Sequence, residues 1–83
     1  MNMWSYHAVY NRGKERGRQT AHRLKERGKE LTMNTALLAE IDSRNEAFTT
    51  DFISSINSSS NADALWEEYE MGVREGIKGV LGG

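Results

Sequence analysis

With 83 residues, 37% of them hydrophobic, and no Pro or Cys, the chain is sized for one small domain that buries a limited fraction of its surface. The lack of Cys excludes a disulfide framework and thiolate chemistry, no apolar run approaches the roughly 20 residues of a membrane span, and no basic region followed by an apolar block opens the sequence. The expectation is a single domain, residues 1–83, in the cytoplasm.

The net charge of -1 conceals a division. Arg12, Lys14, Arg16, Arg18, Arg23, Lys25, Arg27 and Lys29 crowd the first third against only Glu15 and Glu26, whereas the rest of the sequence is predominantly acidic. The two parts are electrically complementary.

Without Pro, the strongest helix breaker is missing from every position, and helix is predicted for most of the chain. A first helix is expected over about residues 4–31, with Tyr10, Gly13, Gly17, Ala21, Leu24, Gly28 and Leu31 three or four residues apart on one face. Its glycines each cost up to about 1 kcal/mol relative to Ala in a helix interior, so packing must compensate. Arg12, Arg16, Arg23 and Arg27 fall on one side of this seam, and Lys14, Arg18, Lys25 and Lys29 on the other.

A break is predicted around Leu31 to Asn34, where Thr32 or Asn34 can cap a new helix. Leu37, Leu38, Ile41, Phe48, Phe52, Ile53 and Ile56 then give mostly helical spacing over residues 35–56, interrupted by Asn45, and Thr49-Thr50-Asp51 could start a separate helix; one bent helix or two both fit. Residues 57–61 read as a polar linker. Ser60 with Asp63 resembles a capping box launching a last helix over about residues 62–80, with Leu65, Trp66, Tyr69, Gly72, Val73, Gly76, Ile77 and Val80 on one broad face.

Tyr10-x-x-Gly13-x-x-x-Gly17 and Tyr69-x-x-Gly72-x-x-x-Gly76 are the same motif. Two glycines one turn apart make a shallow groove where another backbone can approach. The expected fold is therefore an all-α compact bundle of three or four helices, the first and last packed through a seam formed by Tyr10, Gly13, Gly17, Ala21, Leu24, Tyr69, Gly72 and Gly76, either antiparallel within one molecule or paired across a homodimer. In that arrangement the basic flanks of the first helix would lie beside the acidic flanks of the last.

Chemistry-bearing patterns are thin. His7 and His22 lack the spacing of metal ligands on one helix, Glu67, Glu68 and Glu70 point in different directions on a helix, and the glycines follow no strand and precede no Gly-Lys-Ser/Thr. No catalytic residue, metal ligand or cofactor is assigned, and an enzyme is not expected. The candidate partner-binding residues are Trp4 and Tyr6, aromatics of the kind that anchor interfaces, with Arg12, Arg16, Arg23 and Arg27.

The Tyr-x-x-Gly-x-x-x-Gly element in a short sequence free of Pro and Cys resembles the small accessory proteins encoded by phages and prophages. Many of these have no enzymatic activity and block a host protein, including CRISPR effectors, restriction enzymes and transcription machinery. The resemblance implies an inhibitor occluding a host defence or regulatory complex in the host cytoplasm, and assigns no individual residue. A nucleic-acid-binding regulatory protein using Arg12, Arg16, Arg23 and Arg27, and a self-associating structural module, are the alternatives.

Overall fold

A computed structural model describes residues 4–47 and 50–82. It contains four helices, α1 (Tyr6–Glu26), α2 (Met33–Ala47), α3 (Thr50–Asn57) and α4 (Ala62–Gly82), and no strand among the described residues. Its principal dimensions are 42 × 22 × 15 Å, and the α1–α4 contact is the most extensive in the molecule. No helix of the described residues is long and apolar enough to cross a membrane.

Ser5 caps α1 by accepting the Ala8 N–H on its hydroxyl at 3.0 Å, satisfying one of the donors left free in a first turn. At the other end α1 stops at Glu26, not near residue 31 as the spacing predicts. Gly28 takes a positive φ of 68°, its N–H donates to the Lys25 carbonyl and that of Lys29 to the Leu24 carbonyl. Gly28 therefore closes the helix as a left-handed cap and does not extend the seam. A Cβ there would meet no neighbour, so the cost of Gly28→Ala is conformational. We expect a loss of about 1–2 kcal/mol, read as a lower urea midpoint at unchanged slope.

Thr32 caps α2 reciprocally, with Thr35 N–H donating to Thr32 Oγ1 at 3.1 Å and Thr32 N–H to Thr35 Oγ1 at 2.9 Å. The region predicted as residues 35–56 is two helices; Phe48 and Thr49 lie outside the described residues. The Ser58–Asn61 run is a short turn closed by hydroxyl bonds from Ser58 and Ser59 to the Ser55 carbonyl. Trp66 Nε1 also donates to Asn57 Oδ1 at 2.7 Å. These hydrogen bonds, and not apolar burial, order a stretch whose composition suggests a loose linker. The Ser60–Asp63 capping box does not form: α4 begins after Asn61, whose carbonyl accepts the Leu65 N–H.

The antiparallel alternative for the first and last helices is overturned, because α1 and α4 run parallel. A Cβ on Gly13 would strike the Tyr69 carbonyl oxygen and one on Gly17 the Val73 carbonyl oxygen; in exchange, Gly72 faces the Tyr10 carbonyl and Gly76 that of Lys14. All four separations are below 3.0 Å, which real Cβ atoms essentially never show. Contacts ascend together along both helices, and the two motifs sit opposite one another in register: Tyr10 with Tyr69, Gly13 with Gly72, Gly17 with Gly76. The pair has an approximate two-fold axis along its seam. In each glycine the α-hydrogen replacing the missing Cβ points at a carbonyl, the arrangement of a weak C–H···O bond. Parallel packing is open to a single polypeptide because α2 and α3, together about 34 Å of helix at 1.5 Å per residue, carry it back along the roughly 31 Å of α1.

The sequence breaks this symmetry. On α4, Tyr69, Val73 and Ile77 are fully or almost fully buried, and α2 and α3 roof that side with Ala36, Phe52 and Ile56. The equivalent positions on α1 are Tyr10, half-buried, and Lys14 and Arg18, both exposed. One side of the helix pair is covered and the other is open.

Candidate partner-binding faces

Of the four predicted arginines the roofed side buries Arg16 alone, while Arg12 stays exposed. Arg16 is only 6% exposed, and its Nη2 donates to Ser43 Oγ of α2 at 2.7 Å. Arg16, a candidate partner-binding residue from the sequence, is thus buried against α2 and presents little surface to a partner. Arg12 lays its guanidinium over the rings of Trp4 and Phe52, 5.1 and 4.7 Å from their centroids, an attraction to the π faces. Trp4 is half-buried, stands edge-on to Phe52 at 4.9 Å and donates from Nε1 to Ser55 Oγ at 3.0 Å. Tyr6 is 50% exposed, its hydroxyl accepting from Asn61 Nδ2 at 3.2 Å. The N-terminal aromatics thus tie α1 to α3 and to the turn before α4.

Arg23 and Arg27 stay exposed at the C-terminal end of α1. With Thr20, Leu24, Asp42 and Ser43 they border a cleft of about 370 Å³ between α1 and α2. Thr20 is 3% exposed, and its hydroxyl has no hydrogen-bond partner among the described residues.

The open side carries the second basic row. Lys14, Arg18, His22 and Lys25 of α1 face Glu75, Gly76, Gly79 and Val80 of α4 across a groove of about 380 Å³. Arg18 pairs with Glu15 of its own helix and Arg74 with Glu70 of its own, each ion pair about half exposed, so each contributes at most about 1 kcal/mol. Lys14 and Lys25 make no ion pair among the described residues. Glu75 thus lies across the groove from these cations, as the charge pattern leads one to expect, but no ion pair joins it to them among the described residues. Gly79 is exposed and a Cβ on it would meet nothing, so no contact within the molecule requires a glycine at that position.

Two site features escape the sequence reading. Glu40, on the inward face of α2, is 1% exposed and accepts from the Tyr69 hydroxyl at 2.7 Å in the core. Ser43, one turn further on, joins Arg16 to the Glu40 carbonyl. A carboxylate among Leu and Ile in a helical row was the available signal. Among the described residues no group of three or more His, Asp or Glu is placed to hold a metal ion. Comparison with protein-family models, curated proteins and solved structures found no match.

Proposed function

We propose that the protein is a non-catalytic binding module that seats an acidic amphipathic helix of a partner protein along the open side of the α1–α4 pair. The observation that carries this is the uncovered half of a two-fold seam: helices roof one side, while the other keeps a glycine floor and a rim of Lys14, Arg18, His22 and Lys25. A glycine at position 79, which costs α4 about 1 kcal/mol and packs against nothing in the molecule, lets a partner helix approach the floor closely. Unpaired cations select an acidic occupant and raise its association rate. The overall charge of -1 and Glu75 in the same groove favour a protein over a polyphosphate. Under the resemblance to phage and prophage accessory proteins, that partner is a host defence or regulatory complex and the protein acts by occlusion.

Reversing two exposed, unpaired charges, Lys14→Glu with Lys25→Glu, is expected to leave the melting temperature nearly unchanged while abolishing retention of a nuclease-resistant protein from host lysate. Identification of the retained protein by mass spectrometry and its loss in the double variant support the reading. A retained protein indifferent to the charge reversal removes the open side from consideration. Retention of nucleic acid that falls steeply with added salt replaces the reading with phosphate binding, and a melting temperature rising with protein concentration makes the occupant a second copy of the same protein.

A further inference from the structure

The approximate two-fold axis of the α1–α4 pair makes the roofed side a template for the open one. The offset that matches Tyr10 with Tyr69 and Gly13 with Gly72 also matches Val9 with Glu68, Arg16 with Glu75 and Thr20 with Gly79. On the roofed side Val9, Arg16 and Thr20 are at most 6% exposed, and α2 makes two polar contacts with the helix pair. Its Glu40 accepts from the Tyr69 hydroxyl, and one turn further on its Ser43 accepts from Arg16 Nη2, both at 2.7 Å. On the open side the counterparts are uncovered: Tyr10 and Glu68 are half-buried, Glu75 and Gly79 exposed. The Tyr10 hydroxyl and the Glu75 carboxylate have no hydrogen-bond or ion-pair partner among the described residues.

We infer that the partner helix seats on the open side as α2 does on the roofed side, with one carboxylate accepting from the Tyr10 hydroxyl and, one turn further on, a donor facing Glu75. This seating requires the open side to be the docking face proposed above, and names the residues that read its occupant. Turning α2 about the two-fold axis brings its Glu40 position to Tyr10 and its Ser43 position to Glu75. Where the two sides differ, the difference sets the occupant's chemistry. Lys14 and Arg18 stand where Val73 and Ile77 stand on the roofed side, so the group at Tyr10 has cations one and two turns away in place of an aliphatic wall, which favours a charged carboxylate over an amide. Glu75 stands in place of Arg16, an acceptor for a donor, so the residue facing it has to donate. Gly79 in place of Thr20 leaves open space for the occupant's backbone. The occupant therefore carries Asp or Glu followed three residues later by Lys, Arg, Ser or Thr, a mixed pattern that a polyphosphate does not offer.

The probe is a synthetic peptide of α2, residues 33–47, carrying Ser43→Lys and titrated into the full-length protein under amide chemical-shift detection. Saturable shifts at Tyr10, Lys14, Glu75 and Gly79 are expected. Tyr10→Phe in the protein and Glu40→Ala in the peptide are each expected to weaken binding about tenfold, the loss of a hydrogen bond to a charged group. Combined, they should cost little more than Glu40→Ala alone, the non-additivity of two groups in contact. Glu75→Lys in the protein is expected to weaken the Ser43→Lys peptide and to strengthen a Ser43→Glu peptide. Losses that add, or saturation indifferent to Tyr10→Phe, overturn the pairing with Tyr10 and leave the open side standing as a docking face. Shifts confined to Arg16, Thr20 and their neighbours mean that the peptide displaces α2, and these, or no saturable shift at all, overturn the two-fold seating; capture from lysate with Lys14→Glu and Lys25→Glu then judges the docking face independently. Shifts at Tyr10 and Gly79 that grow with protein concentration in the absence of peptide place a second copy in the groove and overturn both.

Discussion

Gly17→Ala is expected to destabilise the protein by about 3 kcal/mol or more, read as a much lower melting temperature. The added Cβ would meet the backbone of Val73, with the carbonyl carbon at 2.9 Å and the Cα at 3.0 Å, and a helix backbone has no rotamer by which to step aside. The only relief is for α1 and α4 to move apart. Separation forfeits close contacts along the whole seam, loosens the other three glycine approaches, and lets water reach Val9, Thr20 and Ala21, all now buried. Overpacking of this kind costs about 1–3 kcal/mol and at times more, and a seam closed backbone to backbone lies at the upper end. A domain of this size has roughly 4–12 kcal/mol in total, so a loss of about 3 kcal/mol or more removes much of it. Gly79→Ala is the matched control. The same substitution on α4, where a Cβ meets open space, is expected to stabilise by about 0.5–1 kcal/mol through helix propensity and a restricted unfolded state. Thermal melts followed by circular dichroism separate the two; equal effects at both positions would contradict the close seam.

Tyr69→Phe is expected to cost about 1–3 kcal/mol, because it takes a hydrogen-bond donor from a buried oxygen of Glu40, whereas Tyr10→Phe should fall within about 0.5 kcal/mol of wild type. The two tyrosines open the same motif and occupy equivalent positions on the two helices, on opposite sides of the seam. Tyr69 is fully buried and donates to the carboxylate of Glu40, so its removal takes a short bond from a site where water cannot replace it. Tyr10 is half-buried on the open side, where its hydroxyl is not needed for a core hydrogen bond. Urea denaturation of both variants distinguishes them. Comparable losses would mean that α2 does not cover the Tyr69 side alone.

Much of the scaffold is legible in the spacing of small residues. Tyr, Gly and Gly at matching intervals mark both halves of the seam, and their register follows the matched motifs. Direction is not legible, because glycine faces accept a partner helix running either way and only the lengths of α2 and α3 settle which. The end of α1 is missed for a related reason: Gly28 continues the periodic row, but its positive φ makes it a terminator. On α2 the binary pattern misleads. Leu38 and Ile41 are 56% and 55% exposed while Glu40 is buried, since the inward face is fixed by Ala36 and the Tyr69 hydroxyl and not by the most apolar arc.

The basic rows show the same division. Their placement on two sides of the seam is readable from helical geometry, and both sides are where that geometry puts them. Which side is covered depends on Tyr69, Val73 and Ile77 drawing α2 and α3 across α4, a tertiary choice invisible within α1. As a result Arg16 turns inward to Ser43 and Arg12, still exposed, lies over Trp4 and Phe52, while Lys14 and Lys25, outside the sequence-based set of contact residues, are left facing solvent.

The open face exists only if α1 and α4 are parallel and in register, and interhelical contacts from the glycine α-protons in solution test that most directly. Nuclear Overhauser contacts from Gly13 to Tyr69 and Val73, from Gly17 to Val73, and from Gly76 to Lys14 and Arg18 are the expected result. Contacts linking Gly13 with Gly76 and Gly17 with Gly72 would mean an antiparallel seam, and would contradict both the fold and the docking face built on it.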